Sequence, residues 1–361
     1  MAHGMIGIGL LGAGRIGRLH TGVIRGSAGL RLEAVFDEDR AAAERLASGA
    51  AVATVATVAG SVDEVIAHPR VDAVMVCSPT DTHVDLASRA IGAGKAVFCE
   101  KPLDLDLARA STLLDLLGER PVPFMTGFHR RFDPSTARLR EHVAAGGIGR
   151  PELMRVLSRD PLPPPLDYLR RSGGIFRDMT IHDLDLCRWL SGAEFTGVEA
   201  RGWCLVDPAI GEAGDVDTAT VTMWAEDGFH VTIQNSRRSG AGFDQRVEVM
   251  GSGGAVALDN VPVTRARFLD AAGERADRLP DHFPERYRDA YAAQLDHFAR
   301  AVASGAPPMT SALDGVAALQ LADACARSLA TGEAVAVRPV AWDLAPGHVQ
   351  FKEAKPARGA A

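Results

Sequence analysis

The sequence predicts an α/β domain with a parallel sheet, followed by an α+β domain with a large, mostly antiparallel open-faced sheet. The chain of 361 residues is too long for one ordinary hydrophobic core, so two domains are expected. In residues 1–127, short apolar runs alternate with helix-like stretches, which is the order of elements in a parallel sheet. In residues 128–340, extended segments rich in Val, Thr and aromatic residues follow one another between glycine turns, which is typical of antiparallel strands. We expect residues 341–361 to form a poorly ordered tail.

Composition argues against several classes of protein. The net charge of −7 and the isoelectric point near 5.9 disfavour non-specific binding of nucleic acid, because the phosphate backbone attracts basic surfaces. No apolar run reaches the ~18 residues of a membrane span, and the first residues lack the pattern of a secretory signal. The five cysteines are scattered without a Cys-x-x-Cys pair, so we expect neither a disulfide framework nor a metal site. The expectation is a cytoplasmic protein whose partner is a small molecule, neither nucleic acid nor membrane.

A glycine-rich turn follows the first apolar run, residues 6–11, and leads into a helix-like stretch at residues 18–25. Its pattern is Gly-x-Gly-x-x-Gly between a strand and a helix, which is the fingerprint of a dinucleotide-binding Rossmann domain. Gly12 allows the tight turn, Gly14 lets the backbone approach a pyrophosphate, and Gly17 lets helix and strand pack closely. The N-terminus of the helix offers amide groups to the phosphates. We expect the turn to contact the dinucleotide at Gly12, Gly14, Arg15, Ile16 and Gly17.

The second predicted strand, residues 30–36, ends in Asp37, twenty residues after Gly17. A carboxylate at this position binds the ribose hydroxyls of NAD and repels the 2′-phosphate of NADP. The sequence therefore favours NAD, although Arg40 lies close enough for NADP to be tolerated. This half of the domain is completed by a helix at residues 40–47, a short strand within residues 51–58 and a helix at residues 61–68.

Further apolar strands are predicted at residues 71–77, 96–99 and 122–126. Nearly continuous apolar runs are typical of a parallel sheet that is covered on both faces. Ligand-binding groups gather at the carboxyl ends of such strands, so the residues that follow them are candidates for the cofactor site. After the first two of these strands the candidates are Ser78, Pro79, His83, Glu100 and Lys101.

Lys101 is placed to face a bound nicotinamide, because it follows directly on one of these strands. The alternative is a surface lysine at a strand end, which is the commoner case. Pro102 favours the first interpretation, because a proline fixes the turn and can hold the lysine inward, for example through a cis bond. The next strand carries His129 and Arg130, within residues 127–133, to the same edge.

The stretch of residues 172–189 carries a candidate proton-transfer group. Two glycines lie near its start, and no helix breaker follows Asp178. In a regular helix of about 100° per residue, Asp178, His182 and Asp185 lie within one narrow arc. An acid one turn before an imidazole suits proton transfer, with Asp178 orienting His182. The alternative is an ordinary pair of side chains on a solvated helix face.

The second domain is expected to combine several strands with two long helices. A strand at residues 153–158 ends just before Asp160 and the stiff, proline-rich loop at residues 161–165. Later strands are predicted at residues 195–206, 218–224, 229–236, 245–250 and 255–258. Amphipathic helices are predicted at residues 283–304 and 311–330.

Together these motifs resemble those of the Gfo/Idh/MocA oxidoreductases, and the resemblance covers roughly residues 5–338. Its most specific segments are residues 12–17, the triplet Glu100-Lys101-Pro102, residues 127–133 and residues 172–185. The resemblance implies a Rossmann domain, an open-faced sheet domain, and assembly of copies of the chain through that sheet, as a tetramer or dimer. It also implies that Lys101, Asp178 and His182 form the catalytic group.

The resemblance further implies a pocket for substrate hydroxyls. Its expected members are Lys101, His129, Arg130, Asp160, Asp178, His182 and Asp185. Two features depart from the family pattern: His129 stands where relatives commonly carry other residues, and the proline-rich loop lies beside the expected pocket. Both departures bear on the identity of the substrate more than on the class of reaction.

The expected reaction is NAD-dependent oxidation of a ring secondary alcohol to a ketone, with myo-inositol or a related inositol as substrate. His182 is expected to accept the hydroxyl proton, while Lys101 stabilises the developing alkoxide or relays the proton itself. A pyranose or an anhydrosugar is the first alternative substrate. A non-catalytic regulator that senses the dinucleotide is the second alternative, although it would have no need of the three catalytic residues together. A metal enzyme is the weakest, because no His-x-x-x-His pair or cysteine cluster completes a site.

Overall fold

The computed structural model describes residues 4–48 and 56–340, so the tail predicted at residues 341–361 lies outside the described residues. A six-stranded parallel sheet forms the first domain, as predicted. Its strands are β1 (Ile6–Leu11), β2 (Leu30–Phe36), β3 (Thr57–Val58), β4 (Ala73–Val76), β5 (Ala96–Cys99) and β6 (Phe124–Thr126). The spatial order is β3-β2-β1-β4-β5-β6, so the chain reverses direction across the sheet between β1 and β4. Ligands of doubly wound sheets bind in the crevice at such a switch point.

Helices cover both faces of this sheet. They are α1 (Arg15–Gly26), α2 (Arg40–Ala47), α3 (Val62–Ala67), α4 (His83–Gly92) and α5 (Leu107–Glu119). Capping side chains define several helix starts: the Ser61 hydroxyl accepts a hydrogen bond from the backbone of Glu64, and the Asp106 carboxylate caps α5 in the same way. Strands β4 and β5 are apolar along their whole length, because both of their faces are buried.

The second domain is built on a seven-stranded sheet. Its first six strands are β7 (Pro151–Arg159), β8 (Phe195–Trp203), β9 (Thr218–Ala225), β10 (His230–Ser236), β11 (Asp244–Gly251) and β12 (Gly254–Leu258). The seventh is β15 (Val335–Ala336), because β13 and β14 form a separate hairpin that is described below. The order is β12-β11-β7-β10-β9-β8-β15, with β7 and β10 parallel and the other neighbours antiparallel. Along β9, buried Val221 and Met223 alternate with exposed Thr220 and Thr222. This alternation confirms the predicted open-faced sheet, with one face packed on helices and one uncovered.

The strand pair β13 (Arg267–Asp270) and β14 (Gly273–Ala276) forms a separate, fully exposed hairpin. The helices of this half are α6 (Pro134–Ala144), α7 (Leu166–Leu169), α8 (Ile181–Ser191), α9 (Pro208–Glu212), α10 (Phe283–Arg286), α11 (Arg288–Ser304) and α12 (Ala312–Thr331). Helix α11 returns to the first domain, where Phe298 packs into the same core as Ile8 and Phe98. Helix α12 packs on α5 of the first domain and on α8 and β8 of the second. The two long C-terminal helices therefore hold the two domains together.

The stretch expected to be one regular helix has two parts. Phe176–Thr180 forms a π-helical turn with wider i to i+5 hydrogen bonding, and the regular helix α8 begins only at Ile181. Gly192, in the left-handed region at a φ of +70°, ends α8. Since a π turn breaks the spacing of 100° per residue, the single arc predicted for Asp178, His182 and Asp185 was wrong.

Three further observations concern possible anchors and metal sites. None of the helices in the described parts of the chain is long and apolar enough to span a membrane. All five cysteines are free, and four of them are buried. Within residues 4–48 and 56–340, no cluster of three or more His, Cys, Asp or Glu side chains is arranged to hold a metal ion.

Candidate active site

The glycine turn between β1 and α1 leaves one side of its backbone bare. Gly12 has a φ of +103°, and a Cβ there would lie 2.6 Å from the carbonyl carbon of Cys77. A Cβ on Gly17 would lie 2.1 Å from the carbonyl oxygen of Gly12, so both positions require glycine. Gly14 is exposed and begins α1 as its N-cap, and a Cβ there would meet no atom within 4 Å. The turn therefore offers an open backbone and a helix N-terminus, which fit a pyrophosphate.

Asp37 stands at the end of β2, directly beside this turn. Its Oδ2 atom accepts a hydrogen bond of 2.6 Å from the backbone N–H of Ala13, and its Oδ1 atom accepts one of 2.8 Å from Asp39. The carboxylate is thus fixed next to the glycine turn, where the ribose contact is predicted. Arg40 points elsewhere, since its Nε atom donates to Glu44 on the same helix at 3.0 Å.

The turn that carries Lys101 is anchored from beneath by Glu100. The buried Glu100 carboxylate lies 2.7 Å from Nε2 of His20 and accepts a 3.2 Å hydrogen bond from the backbone N–H of Lys101. Gly127, after β6, leaves room for this carboxylate, because a Cβ there would lie 2.9 Å from its carboxyl carbon. The bond between Lys101 and Pro102 is cis. The side chain of Glu100 is thus turned into the protein, and its predicted contact with the cofactor stays a prediction.

The loop after β4 is joined to the same turn by His83, at the start of α4. The buried His83 ring places Nδ1 at 2.8 Å from the carbonyl oxygen of Pro102 and Nε2 at 2.9 Å from that of Ser78. The Ser78 hydroxyl lies 2.6 Å from the hydroxyl of Thr82, and Pro79 precedes the short 3₁₀ turn Thr80–Thr82. Since both ring nitrogens are engaged by backbone, the geometry gives His83 the role of linking two loops of the predicted cofactor site.

Lys101 and Asp178 meet at the junction of the two domains. Lys101 Nζ donates to the backbone carbonyl oxygen of Asp178 at 2.7 Å and lies 3.5 Å from its Oδ1 atom. The two side chains are 15% and 12% exposed, so their charges are largely, but not fully, withdrawn from water. The carboxyl edge of the parallel sheet therefore reaches the π-helical turn of the second domain, as the catalytic assignment requires.

The carboxylate of Asp178 is also held by two side chains of the second domain. The hydroxyl of Tyr168 donates to its Oδ1 atom at 2.7 Å, and Nη1 of the fully buried Arg237 donates to its Oδ2 atom at 3.1 Å. Burial acts to raise the pKa of Asp178, but the cations Lys101 and Arg237 and the Tyr168 hydrogen bond outweigh it and lower that pKa. Asp178 is therefore ionised at neutral pH.

His182 follows on the first turn of α8 and is only partly buried. Its ring packs edge-on against Phe128 and His129, with ring centroids 6.1 and 5.1 Å apart. Burial first, and then the cations Lys101 and Arg130, hold the pKa of His182 well below 6.5, so the imidazole is neutral at neutral pH.

The expectation that Asp178 orients His182 was wrong for this structure. Among the hydrogen bonds of the described residues, none joins the Asp178 carboxylate to the His182 ring, and Nδ1 of His182 is buried without a partner. The physical reason is the π-helical turn, which directs Asp178 toward Tyr168, Arg237 and Lys101. Asp178 thus acts on the lysine of the predicted catalytic group.

The segment after β6 places His129 and Arg130 behind His182. His129 is buried, stacks on Tyr291 at a centroid distance of 4.4 Å, and leaves its Nε2 atom without a partner. Burial, and then the neighbouring Arg130, lower the pKa of His129 well below 6.5. Arg130 donates to Asp183 at 2.5 Å and to Ser158 at 3.2 Å. Both residues support the site from within the protein, and their predicted contacts with substrate stay predictions.

Two acids predicted to bind substrate have different surroundings. Asp160, just beyond β7, is partly exposed, and no hydrogen bond to its carboxylate is found within the described part of the chain. Burial, and then the neighbouring Asp178, raise the pKa of Asp160 to about 6. Asp185 is buried and binds Arg131, which also binds Asp314 at 2.8 Å. The structure therefore leaves Asp160 available to a ligand and places Asp185 in a buried ion-pair cluster.

Sequence reasoning missed Tyr168 and Arg237, the two side chains that hold the Asp178 carboxylate. Arg237 follows β10 and is fully buried, whereas the adjacent Arg238 is exposed, and nothing in the local pattern separates the two arginines. Tyr168 belongs to the four-residue helix α7 behind the proline-rich loop, which is too short for a periodic signal. The position of Arg237 at the carboxyl end of a strand was the one usable clue.

Comparison with known proteins matches both domains of the chain to one family. The family described as "Oxidoreductase family, NAD-binding Rossmann fold" matches residues 6–128, and the "GFO/IDH/MocA C-terminal domain" matches residues 136–257. The chain is 46% identical to an inositol 2-dehydrogenase of Rhizobium meliloti strain 1021, over 91% of this chain and 98% of that relative. It is 44% identical to a myo-inositol 2-dehydrogenase of Thermotoga maritima, over 92% of this chain and 99% of that relative.

The chain is also similar in three-dimensional structure to a solved protein. The crystal structure of scyllo-inositol dehydrogenase from Lactobacillus casei, with bound NAD(H) and scyllo-inositol, superimposes with a TM-score of 0.86 at 28% identity. The match covers 92% of this chain and 99% of that one. The fold of both domains is therefore shared with a protein whose crystal structure holds NAD(H) and scyllo-inositol.

Proposed function

The chain belongs to the GFO/IDH/MocA oxidoreductase family, and on that basis we propose that it oxidises one ring secondary alcohol of an inositol to the ketone. The first domain is an NAD-binding Rossmann domain, and the enzyme is an oxidoreductase of the inositol dehydrogenase group. The observation that carries the proposal is the meeting of Lys101 with Asp178, Nζ to carbonyl oxygen 2.7 Å, between the parallel sheet and the second domain. A reacting alcohol placed there lies between the cofactor edge of the sheet and a cluster of charged side chains.

Residues of the glycine turn and Asp37 would hold the dinucleotide. Its pyrophosphate fits the bare backbone at Gly14, and its adenosine ribose fits the carboxylate of Asp37. The pairing of Arg40 with Glu44 supports NAD over NADP, because Arg40 is not directed at a 2′-phosphate. Bound NAD supplies the acceptor for the hydride that leaves the alcohol carbon.

The proton of the alcohol goes to His182 in this proposal. A neutral imidazole can accept a proton, and the lowered pKa of His182 keeps it neutral at working pH. Lys101 donates a hydrogen bond to the same oxygen and stabilises the negative charge that develops on it. Asp178 holds the ammonium group of Lys101 in place, which is a change from the role expected from the sequence alone.

Recognition of the polyol falls to side chains with free polar atoms. Asp160 has an unengaged carboxylate close to Asp178, and a carboxylate accepts hydrogen bonds from the neighbouring hydroxyls of a ring. Carboxylates that bind hydroxyls give strong selectivity, because a substrate that lacks the hydroxyl leaves a buried acceptor unpaired. A pyranose shares part of this hydroxyl pattern, so sugars are the competing substrates.

A substrate panel tests the proposal. myo-Inositol, scyllo-inositol, glucose, galactose and an anhydrosugar are each offered with NAD and with NADP, and reduced cofactor is followed by absorbance. We expect the highest kcat/KM for an inositol with NAD. A sugar that exceeds every inositol would reassign the substrate, and NADH binding without turnover of any compound would contradict the proposed reaction.

A further inference from the structure

Tyr168 contacts residues of both domains. It lies on helix α7, behind the proline-rich loop, and its hydroxyl donates to Oδ1 of Asp178 at 2.7 Å. The guanidinium group of Arg15 lies over the face of the Tyr168 ring, with its Cζ atom 5.7 Å from the ring centroid. Arg15 is the first residue of α1 and belongs to the glycine turn of the dinucleotide site. One side chain of the second domain therefore contacts the acid of the catalytic group and the loop of the cofactor site.

A second aromatic ring shares the contact with Arg15 but not the contact with Asp178. Phe283 of α10 lies 5.3 Å from the Arg15 guanidinium, measured from Cζ to the ring centroid. Arg15 is thus held by aromatic rings from two separate segments of the second domain. Such contacts attract a cation through the negative faces of the rings and fix its position.

The hydrogen bond from Tyr168 differs from the other contacts of Asp178. Lys101 and Arg237 approach the carboxylate as cations, whereas Tyr168 is a neutral donor. Burial, and then the charge of Asp178, raise the pKa of Tyr168 well above 10, so its hydroxyl keeps its proton at working pH. The residue as a whole is 38% exposed, so its ring is not part of a buried core.

We propose that Tyr168 is a positioning residue, which fixes the carboxylate of Asp178 and links that position to Arg15 of the cofactor loop. The proposal deepens the proposed function and rests on it, because it assigns Tyr168 a part in a reaction at Lys101 and Asp178. The hydroxyl of Tyr168 is then required for a normal kcat, and its ring is required for normal NADH affinity through Arg15.

Three variants separate these contributions. Tyr168→Phe removes only the hydroxyl, and we expect kcat to fall about ten- to a hundredfold, the usual loss for one hydrogen bond to a charged group. The Kd of NADH, measured by fluorescence without substrate, should stay unchanged. Phe283→Leu is the comparison variant, because it removes a ring over Arg15 without touching Asp178, and it should raise the Kd of NADH about two- to fivefold. Tyr168→Leu should show both effects.

The melting temperature of each variant is recorded with the kinetics. A kcat for Tyr168→Phe within twofold of wild type would overturn the positioning role. A fall in kcat accompanied by losses of NADH affinity and melting temperature would also overturn it, because the hydroxyl would then have a general structural role. An unchanged or lower Kd in both leucine variants would overturn the link to the cofactor loop. If the wild-type protein oxidises no inositol, the proposed function fails and the positioning role fails with it. An active wild type with an unaffected Tyr168→Phe overturns the positioning role alone.

Discussion

Asp178 joins side chains from distant parts of the chain at the junction of the two domains. Lys101 reaches it from the parallel sheet, Arg237 from the end of β10, and Tyr168 from the loop region after β7. A carboxylate engaged by two cations and a hydroxyl stays ionised and keeps one orientation. This arrangement holds Lys101 at the place where the alcohol oxygen is expected, and leaves His182 free to accept a proton.

The unengaged carboxylate of Asp160 combines a proposed role in substrate binding with a cost in stability, because the charged carboxylate is partly withdrawn from water. Its pKa is raised to about 6, against about 4 in an unfolded chain, so ionisation is less favourable in the folded protein. The penalty is absent below about pH 4 and complete above about pH 6. We expect Asp160→Asn to raise the free energy of unfolding by about 2 kcal/mol at pH 8, with no change at pH 4.

Urea denaturation at the two pH values measures this effect, and steady-state kinetics at pH 8 measure its counterpart. If Asp160 binds ring hydroxyls, the same variant should raise the KM for the polyol about tenfold, because one hydrogen bond to a charged group is lost. A variant that is more stable with an unchanged KM would remove Asp160 from the substrate pocket.

At the scale of the element, the glycine turn and the π-helical turn show what local sequence can predict. The spacing of Gly12, Gly14 and Gly17 predicted a backbone geometry: Gly12 and Gly17 leave no room for a Cβ, and Gly14 leaves its backbone open to a ligand. The π turn at Phe176–Thr180 carries no comparable signal, since neither glycine nor proline marks it. The sequence therefore predicted that Asp178 and His182 share a site, but not which side chain each one contacts.

The bare backbone at Gly14 supports a prediction about this element. Gly14→Ala adds a methyl group that meets no protein atom, so the free energy of unfolding should change by less than about 1 kcal/mol. We expect the Kd of NADH to rise about ten- to a hundredfold, because the methyl group intrudes on a packed pyrophosphate. Gly22→Ala, also free of contacts but on the body of α1, is the control and should leave the Kd unchanged. Equal affinities in both variants would place the pyrophosphate elsewhere.

At the scale of the whole molecule, the last two helices join the domains, and a buried ion-pair cluster ties the segment after β6 to α8 and α12. Arg131 follows the parallel sheet, and it binds Asp185 of α8 and Asp314 of α12. Helix α11 completes the core of the first domain, although it lies near the end of the chain. The order of strands and helices in each sheet was predictable, because it follows from local periodicity. These long-range pairings were not, because a buried aspartate and an exposed one look alike in sequence.

A stability measurement distinguishes two roles for Asp185, a buried ion-pair partner of Arg131 and a substrate ligand. Asp185→Asn leaves Arg131 with one charged partner in the interior, and we expect the free energy of unfolding to fall by about 3 kcal/mol. Glu141→Gln, which breaks an exposed pair with Arg138, is the control and should cost less than about 1 kcal/mol. Chemical denaturation followed by fluorescence measures both. Unchanged stability with a strongly raised KM would instead make Asp185 a substrate ligand.

The most direct test of the active site is single-site removal of Lys101. We expect Lys101→Ala to lower kcat for myo-inositol by about two to four orders of magnitude, with the Kd of NADH within about twofold of wild type. Lys95→Ala, which removes the lysine directly before β5, at the opposite end of that strand from Lys101, should retain wild-type turnover. Near-normal turnover of myo-inositol by Lys101→Ala, measured as NADH formation, would contradict the assignment of the reaction to the junction of Lys101 and Asp178.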